Sequence, residues 1–373
     1  MGVKLAIDLG SSTTKIYRLG GGVLLSEPSV VSLNAEGDGQ IRAIGLDAKR
    51  IIGKTADNTR ISFPIFEGEV VNEKMAVAML SYFLKKIQFR PGIGGGSVLV
   101  NVPCGLDVAM LKKYERVMDR CGMGEIDFVE SPVLCALGQN VPVNESNPCF
   151  VIDLGGGVTN IAALSLGGVI AGVSLNVGGN LLDSALIDYI AETFGLQVGL
   201  LTAERAKKQV GSLYRNDRLS AVVSGRDVAT GKPRSLSLSA KDIHEPVKLF
   251  YDKIAEYAFS VIAKLPAEVA AEIRHAGIYL AGGGAEMTGL EDYFGRVFNE
   301  DQYSLRTGDV RHAGRGRRAR QRKPSESDSL KAGVTAAQER GGVAFFPLFS
   351  KTESPRIARG YFCNQPPRTI CGG

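Results

Sequence analysis

Two stretches of this chain repeat one short pattern about half a chain apart. The first is K-L-A-I-D-L-G-S-S-T-T-K-I-Y, from Lys4 to Tyr17, and the second is C-F-V-I-D-L-G-G-G-V-T-N-I-A, from Cys149 to Ala162. Each is an apolar run, then Asp-Leu-Gly, then small residues, with a Thr six residues after the Asp (Thr14 and Thr159). Each continues through a second apolar run to a Gly turn, at Gly20 to Gly22 and at Gly167 and Gly168, and on to a third apolar run. Short apolar runs punctuated by turn residues read as strand, tight turn, strand, turn, strand. Found twice, the unit implies a duplicated α/β architecture with a pseudo-twofold cleft between the copies.

The loops suggest what the cleft holds. Gly10 lets the backbone turn sharply and approach a ligand. Successive backbone N–H groups, with the Ser11 and Ser12 hydroxyls, make a nest for phosphate oxygens. Asp8 at the strand end can orient a water on Mg²⁺, which phosphates bring with several waters attached. One such loop is equally a plain hairpin turn. The second, Asp153 with Gly155, Gly156 and Gly157, stands at the matching position, and two such hairpins facing each other would clamp a polyphosphate from both sides. A third cluster, Gly282, Gly283 and Gly284, follows the apolar run Gly277 to Ala281. There glycine would let an adenine ring lie flat against backbone, the alternative being a strand-to-helix turn.

Charge separates a body from a tail. From residue 304 onward there are 14 Lys/Arg against 5 Asp/Glu, and before it 30 against 34. The body is mildly acidic and does not read as a nucleic-acid surface, so no nucleic-acid partner is expected for residues 1–303. Arg311 to Lys323 holds seven Lys/Arg and no acid, and no helix or strand period follows, so disorder is expected for 304–373. The six Cys make no C-x-x-C pair and read as reduced, buried thiols of a cytosolic protein. The N-terminus opens on the strand Val3 to Ile7 without a signal-peptide pattern, and no run of about 18 apolar residues exists to span a membrane.

Helical periodicity covers Glu73 to Ile87, Leu106 to Cys121 with Asp107 as a cap, Leu181 to Phe194, Ala203 to Leu213, and Ile243 to Leu265 before Pro266. Strands are expected at Val98 to Val102, Ile126 to Val129 and Ile278 to Leu280. Alternation over residues 218–239 around Thr230-Gly231-Lys232-Pro233 reads as a β-hairpin.

The three glycine motifs, in this order, resemble those of the actin, sugar-kinase and heat-shock-chaperone ATPase superfamily. The text between them is similar to the bacterial actin family of MreB and its relatives: E-P-S-V-V (Glu27 to Val31), G-L-D-A-K-R-I-I-G-K-T (Gly45 to Thr55), T-A-E-R-A-K (Thr202 to Lys207) and G-I-Y-L-A-G-G-G (Gly277 to Gly284). The resemblance runs from about residue 3 to about residue 300. It implies an α/β actin-like ATPase fold, two duplicated halves around a nucleotide cleft, each with a small insertion. The first half is expected at 1–32 and 64–144 with its insertion at 33–63, and the second at 145–179 and 246–303 with its insertion at 180–245.

The resemblance also implies roles. Asp8 and Asp153 would order Mg²⁺ and its waters. Gly10, Ser11, Ser12, Lys15, Gly155, Gly156, Gly157 and Gly179 would belong to the phosphate site of ATP. Glu204 and Lys207 would contact ribose and adenine, and Gly282, Gly283 and Gly284 would close over the base. The implied function is a cytoplasmic filament-forming protein that organises cell-wall synthesis for rod shape. Its implied partners are further copies of itself, the cell-wall elongation machinery and the inner membrane surface. Phe89 and Ile93 within Gln88 to Ile93, beside Lys85, Lys86 and Arg90, stand where the family carries a membrane-inserting loop; an ordinary loop is the alternative.

Two departures qualify this. The family has Glu-Glu-Pro where this chain has Glu130-Ser131-Pro132, and the carboxylate before Pro is thought to position the attacking water. Ser is a poor base, and general-base help is worth about 10²–10⁴-fold, so slow or altered hydrolysis is expected. Glu130 is a substitute only if its side chain turns toward the cleft. Thr159, the other expected water-positioning residue, is kept, while Val158, Asn160 and Asn180 replace the usual Thr, acid and Asp. The other departure is the switch after about residue 303 to R-H-A-G-R-G-R-R-A-R-Q-R-K, the mark of a frameshift or alternative terminus; a genuine basic tail binding anionic lipid or nucleic acid is the rival. Other functions of the superfamily fit less well. A metabolite kinase would need a catalytic Asp and a sugar pocket, and a chaperone would need a substrate domain that about 70 tail residues cannot supply. A hydrolysis-deficient regulator that copolymerises with a hydrolysing relative is the remaining alternative.

Overall fold

The structure is a computed structural model, and it describes residues 4–18, 20–35, 39–54, 58–90 and 96–307. The basic stretch from residue 308, with Cys363 and Cys371, lies outside the described residues, and so does Pro91 to Ile93 of the expected membrane loop.

The first Asp-Leu-Gly motif forms the turn between β1 (Lys4–Leu9) and β2 (Thr13–Arg18), with β3 (Gly22–Pro28) after the next turn. A small sheet follows, made of β4 (Val31–Asn34), β5 (Ile41–Ile44) and β6 (Thr59–Ser62), with α1 (Leu46–Ile51) before its last strand. The chain returns through the β7 (Ile65–Phe66) and β8 (Glu69–Val70) hairpin to α2 (Glu73–Lys86), β9 (Gly96–Val102), α3 (Val108–Arg120), β10 (Met123–Glu130) and α4 (Ser131–Gly138).

The second half repeats the plan. β11 (Cys149–Leu154), β12 (Thr159–Ser165) and β13 (Gly168–Leu175) lead to α5 (Gly179–Phe194), β14 (Leu196–Gln197) and α6 (Leu200–Val210). The hairpin of β15 (Ser220–Asp227) and β16 (Pro233–Ser239) precedes α7 (Ala240–Ile262) and α8 (Ala267–Ala276). Then come β17 (Ile278–Ala281), a 3₁₀ turn over Gly283–Glu286, α9 (Leu290–Glu300) and β18 (Leu305–Thr307).

The duplication is explicit in the sheets. Their orders are β10-β9-β1-β2-β3 and β18-β17-β11-β12-β13. In both, the Asp-bearing strand pairs antiparallel with the next strand and parallel with one that arrives much later. Both also carry a register shift between their second and third strands, at Ile16/Tyr17 and at Ala163/Leu164. The parallel pairs require helical crossovers, which α2 supplies in the first half, with α7 and α8 in the longer second connection.

Each half has its own core. α2 buries Met75, Ala76, Met79, Leu80, Phe83 and Leu84, a stripe at helical spacing, against the first sheet. Asn72 starts that helix by accepting from the Met75 N–H at 3.1 Å. A fully buried side chain such as Phe83 contributes about 1.5–3 kcal/mol. The second core gathers Phe150, Ile152, Leu186, Val247, Tyr251, Phe294 and Phe298. A third, smaller cluster lies beneath the cleft, where Val133 and Ala136 of α4 meet Val151 and Ala162 of the second sheet. α4 thus packs on both halves.

Element boundaries shift by a few residues throughout. The body expected to end at 303 runs on to Thr307, because β18, inside the stretch expected to be disordered, pairs parallel with β17. The helix expected at Ala203 to Leu213 starts at Leu200 and stops at Val210, before Gly211. The helix expected from Leu106 starts at Val108, with Asp107 as its cap accepting from Met110 N–H at 2.8 Å.

Candidate functional site

Both Asp-Leu-Gly loops lie at strand ends, and glycine is required for the same reason in each. A Cβ on Gly10 would stand 2.8 Å from the Thr13 carbonyl oxygen, and one on Gly155 2.6 Å from that of Val158. The turns close only without side chains there. The loops then meet: a Cβ on Gly156 would lie 2.5 Å from Ser12 Cβ, and one on Gly157 would overlap the Ser11 side chain. Ser11 Oγ accepts from the Gly68 N–H at 2.9 Å, which braces the first loop on the β7–β8 turn. Lys15 lies opposite Asp8 in the β1–β2 ladder. Gly179 N–H donates to the Gly155 carbonyl at 3.0 Å, so α5 begins directly on the second loop.

The two carboxylates occupy the cleft floor. Asp8 Oδ1 accepts from Asn101 Nδ2 at 3.0 Å. Asp153 Oδ2 accepts from Ser131 Oγ at 2.7 Å and from Asn160 Nδ2 at 3.0 Å. Among the described residues no group of three or more His, Cys, Asp or Glu is placed to hold a metal ion by itself. A metal here would rely on phosphate oxygens and water besides Asp8 and Asp153, as hard cations that keep their waters do.

The third glycine cluster closes on the second loop. Gly282 has φ +80, and a Cβ there would meet Leu154 O at 2.5 Å and Asp153 Oδ1 at 2.7 Å. Gly284 O accepts from Tyr251 Oη at 2.8 Å, which ties the turn to α7. Gly283 has open space on its Cβ side.

Glu204 and Lys207 sit on α6, each already engaged. Lys207 Nζ pairs with buried Asp183 at 2.9 Å and donates to the Gly179 carbonyl at 2.7 Å. Burial pushes the Asp183 carboxyl up, against the pull of Lys207. Glu204 takes Lys49 at 2.7 Å and Lys208 at 2.6 Å. Burial pushes its carboxyl up, but Lys208 and Lys49 outweigh that and hold it below the usual range. Lys49 belongs to α1, so this pair bridges the two insertions.

The residues expected to act in hydrolysis each have a partner within the protein. Glu130 Oε1 accepts from the Gly105 N–H at 2.6 Å and caps that turn. Ser131 reaches the floor, but its hydroxyl proton is committed to Asp153. Thr159 is fully buried, and its hydroxyl donates to the Val177 carbonyl at 2.5 Å. Its counterpart Thr14 is equally buried and bonded to Ser29 Oγ at 2.8 Å. Each Thr thus ties its strand to a residue just past the third strand of its half. Phe89 packs against the first core. Sequence reasoning passed over Asn101 and Lys49. The signal for Asn101 was an amide inside an otherwise apolar strand; Lys49 had no local signal.

A family model described as MreB/Mbl protein matches residues 2–301. The cell shape-determining protein MreB of Escherichia coli (strain K12) is 34% identical over 295 residues, covering 77% of this chain and 84% of that protein. A crystal structure of MreB 5 of Spiroplasma citri bound to AMPPNP superposes with a TM-score of 0.80 at 25% identity, over 91% of this chain and 96% of that one. A subunit of a MamK double helical filament shares the fold, with a TM-score of 0.69 at 19% identity over 90% of this chain and 99% of that one. The architecture is therefore actin-like.

Proposed function

The chain belongs to the MreB/Mbl protein family, and from that premise we propose that it is an ATP-binding, actin-like cytoskeletal protein that forms filaments and organises cell-wall synthesis for rod shape. The observation that carries the nucleotide reading is the meeting of two glycine loops over the Asp8 and Asp153 carboxylates. The loops offer backbone N–H groups to phosphate oxygens. Bound with the nucleotide, Mg²⁺ would neutralise phosphate charge, and Asp8 and Asp153 are the residues to hold its waters. Gly282 to Gly284 form the base side of the site, and Lys207 stiffens the α5 start beneath it.

In this reading the protein acts at the cytoplasmic face of the membrane, with the elongation machinery and the inner membrane surface as partners. No helix among the described residues is long and apolar enough to cross a membrane. Nucleotide state would bias the angle between the halves, and with it the head-to-tail contacts between copies.

A second reading is favoured by one geometry. Ser131, bonded to Asp153, stands where the family's base is expected. A protein that holds ATP but cleaves it slowly would serve as a regulator copolymerising with a hydrolysing relative.

Sedimentation with ATP, with ADP and without nucleotide, followed by electron microscopy of the pellet, tests the leading reading. ATP should yield pelleted filaments. Soluble protein under all three conditions overturns it.

A further inference from the structure

Strand β9 is apolar from Val98 to Val102 except at Asn101, a residue type depleted in strands. Its register puts Asn101 opposite Asp8 on β1 and Val129 on β10. Asn101 Nδ2 donates to Asp8 Oδ1 at 3.0 Å and reaches Ser131 Oγ at 3.4 Å. Ser131 Oγ donates in turn to Asp153 Oδ2 at 2.7 Å. Two neutral side chains therefore join the Asp-Leu-Gly carboxylate of one half to that of the other. The Asn101 Oδ1 atom is buried and accepts no hydrogen bond among the described residues. Folded proteins rarely leave a buried amide oxygen so, because each costs about 1–3 kcal/mol.

We infer that Asn101 is a positioning residue for the metal end of the nucleotide site. Its NH₂ group fixes the Asp8 carboxylate, and its carbonyl oxygen accepts from a metal-bound water. The inference rests on the Mg-nucleotide reading above. A carboxamide suits the place because it donates to Asp8, whereas a third carboxylate would repel it. Partners that orient a metal's ligands typically contribute 10–100-fold in metal affinity.

The test separates metal from nucleotide. The affinity of the full chain for a fluorescent ATP analogue is measured in EDTA and across a Mg²⁺ titration, for the unmodified protein and for Asn101→Leu. Asn101→Leu should keep its EDTA affinity within about twofold and lose roughly tenfold of the gain that Mg²⁺ brings. Asn101→Ala, which leaves space beside Asp8 in place of an apolar group, should lose the same gain and serves if the Leu variant does not fold. A variant that keeps the full Mg²⁺ gain, or that loses as much affinity in EDTA, overturns the inference and leaves the nucleotide reading standing. An unmodified protein that gains nothing from Mg²⁺ overturns the metal reading and the inference with it.

Discussion

Ser131 Oγ carries one proton and gives it to Asp153 at 2.7 Å. A neutral hydroxyl is far less basic than a carboxylate and cannot draw a proton from water as one would. The neighbour that has a carboxylate, Glu130, spends it on the Gly105 N–H. Glu130 ends β10 and Ser131 opens α4, and the two successive side chains there take different partners. Substituting Ser131→Glu should raise phosphate release from Mg-ATP by about 10²-fold, the lower end of the 10²–10⁴ range of general-base help, as read by a coupled phosphate assay. Equal rates for the two proteins would sink the assignment. The glycines and both carboxylates were legible in the sequence because their demands are local, set by a turn and a strand end. The bond from Thr159 to Val177 was not, because its partner is fixed only by how the following loop packs. Asn101 shows the same limit, since its partners Asp8 and Ser131 come from two other elements.

Secondary structure was legible where the hydrophobic period is long. α2 and α7 show it plainly, and α7 adds a capping box between Ser239 and Asp242. α4 hides because S-P-V-L-C-A-L-G is apolar all round and packs on both halves, so it has no polar face to set a period. α9 spaces its core residues Leu290, Phe294 and Phe298 one turn apart, a pattern short enough to pass for a loop. The contact between elements that no periodicity reveals is the one from α1 to α6, where Lys49 meets Glu204. Both side chains are largely shielded, at 29% and 17% exposure. A pair at the margin of burial is worth about 0.2–1 kcal/mol, which corresponds to roughly one- to fivefold in a rate. Lys49→Ala should therefore release a labelled nucleotide about two- to fivefold faster, with the difference shrinking at high salt. Lys208→Ala is the control, since Lys208 shares a helix with Glu204 and spans nothing. Unchanged release for Lys49→Ala, or equal acceleration by both variants, would show that the pair does not close the cleft.

At the scale of the molecule, the two halves touch at the floor through Asp8, Asn101, Ser131 and Asp153, and at the margin through Lys49 and Glu204. A bound nucleotide can change the angle between the halves only through a difference in affinity for the two angles. To shift a two-state balance from 1:99 to 99:1 that difference must reach about 10⁴-fold. Loss of the terminal phosphate, which both glycine loops would contact, is the event able to supply it. If hydrolysis is slow, the event is rare, and copies that assembled with ATP stay in the assembling state. Filaments of the unmodified protein formed on a limited supply of ATP should then persist for as long as those formed on AMPPNP, in a sedimentation time course. Filaments of Ser131→Glu should disassemble as phosphate appears. Should the unmodified filaments disappear on the same schedule as the Ser131→Glu ones, slow hydrolysis would not govern the assembly, and the neutral side chains on the cleft floor would bear on nucleotide retention alone.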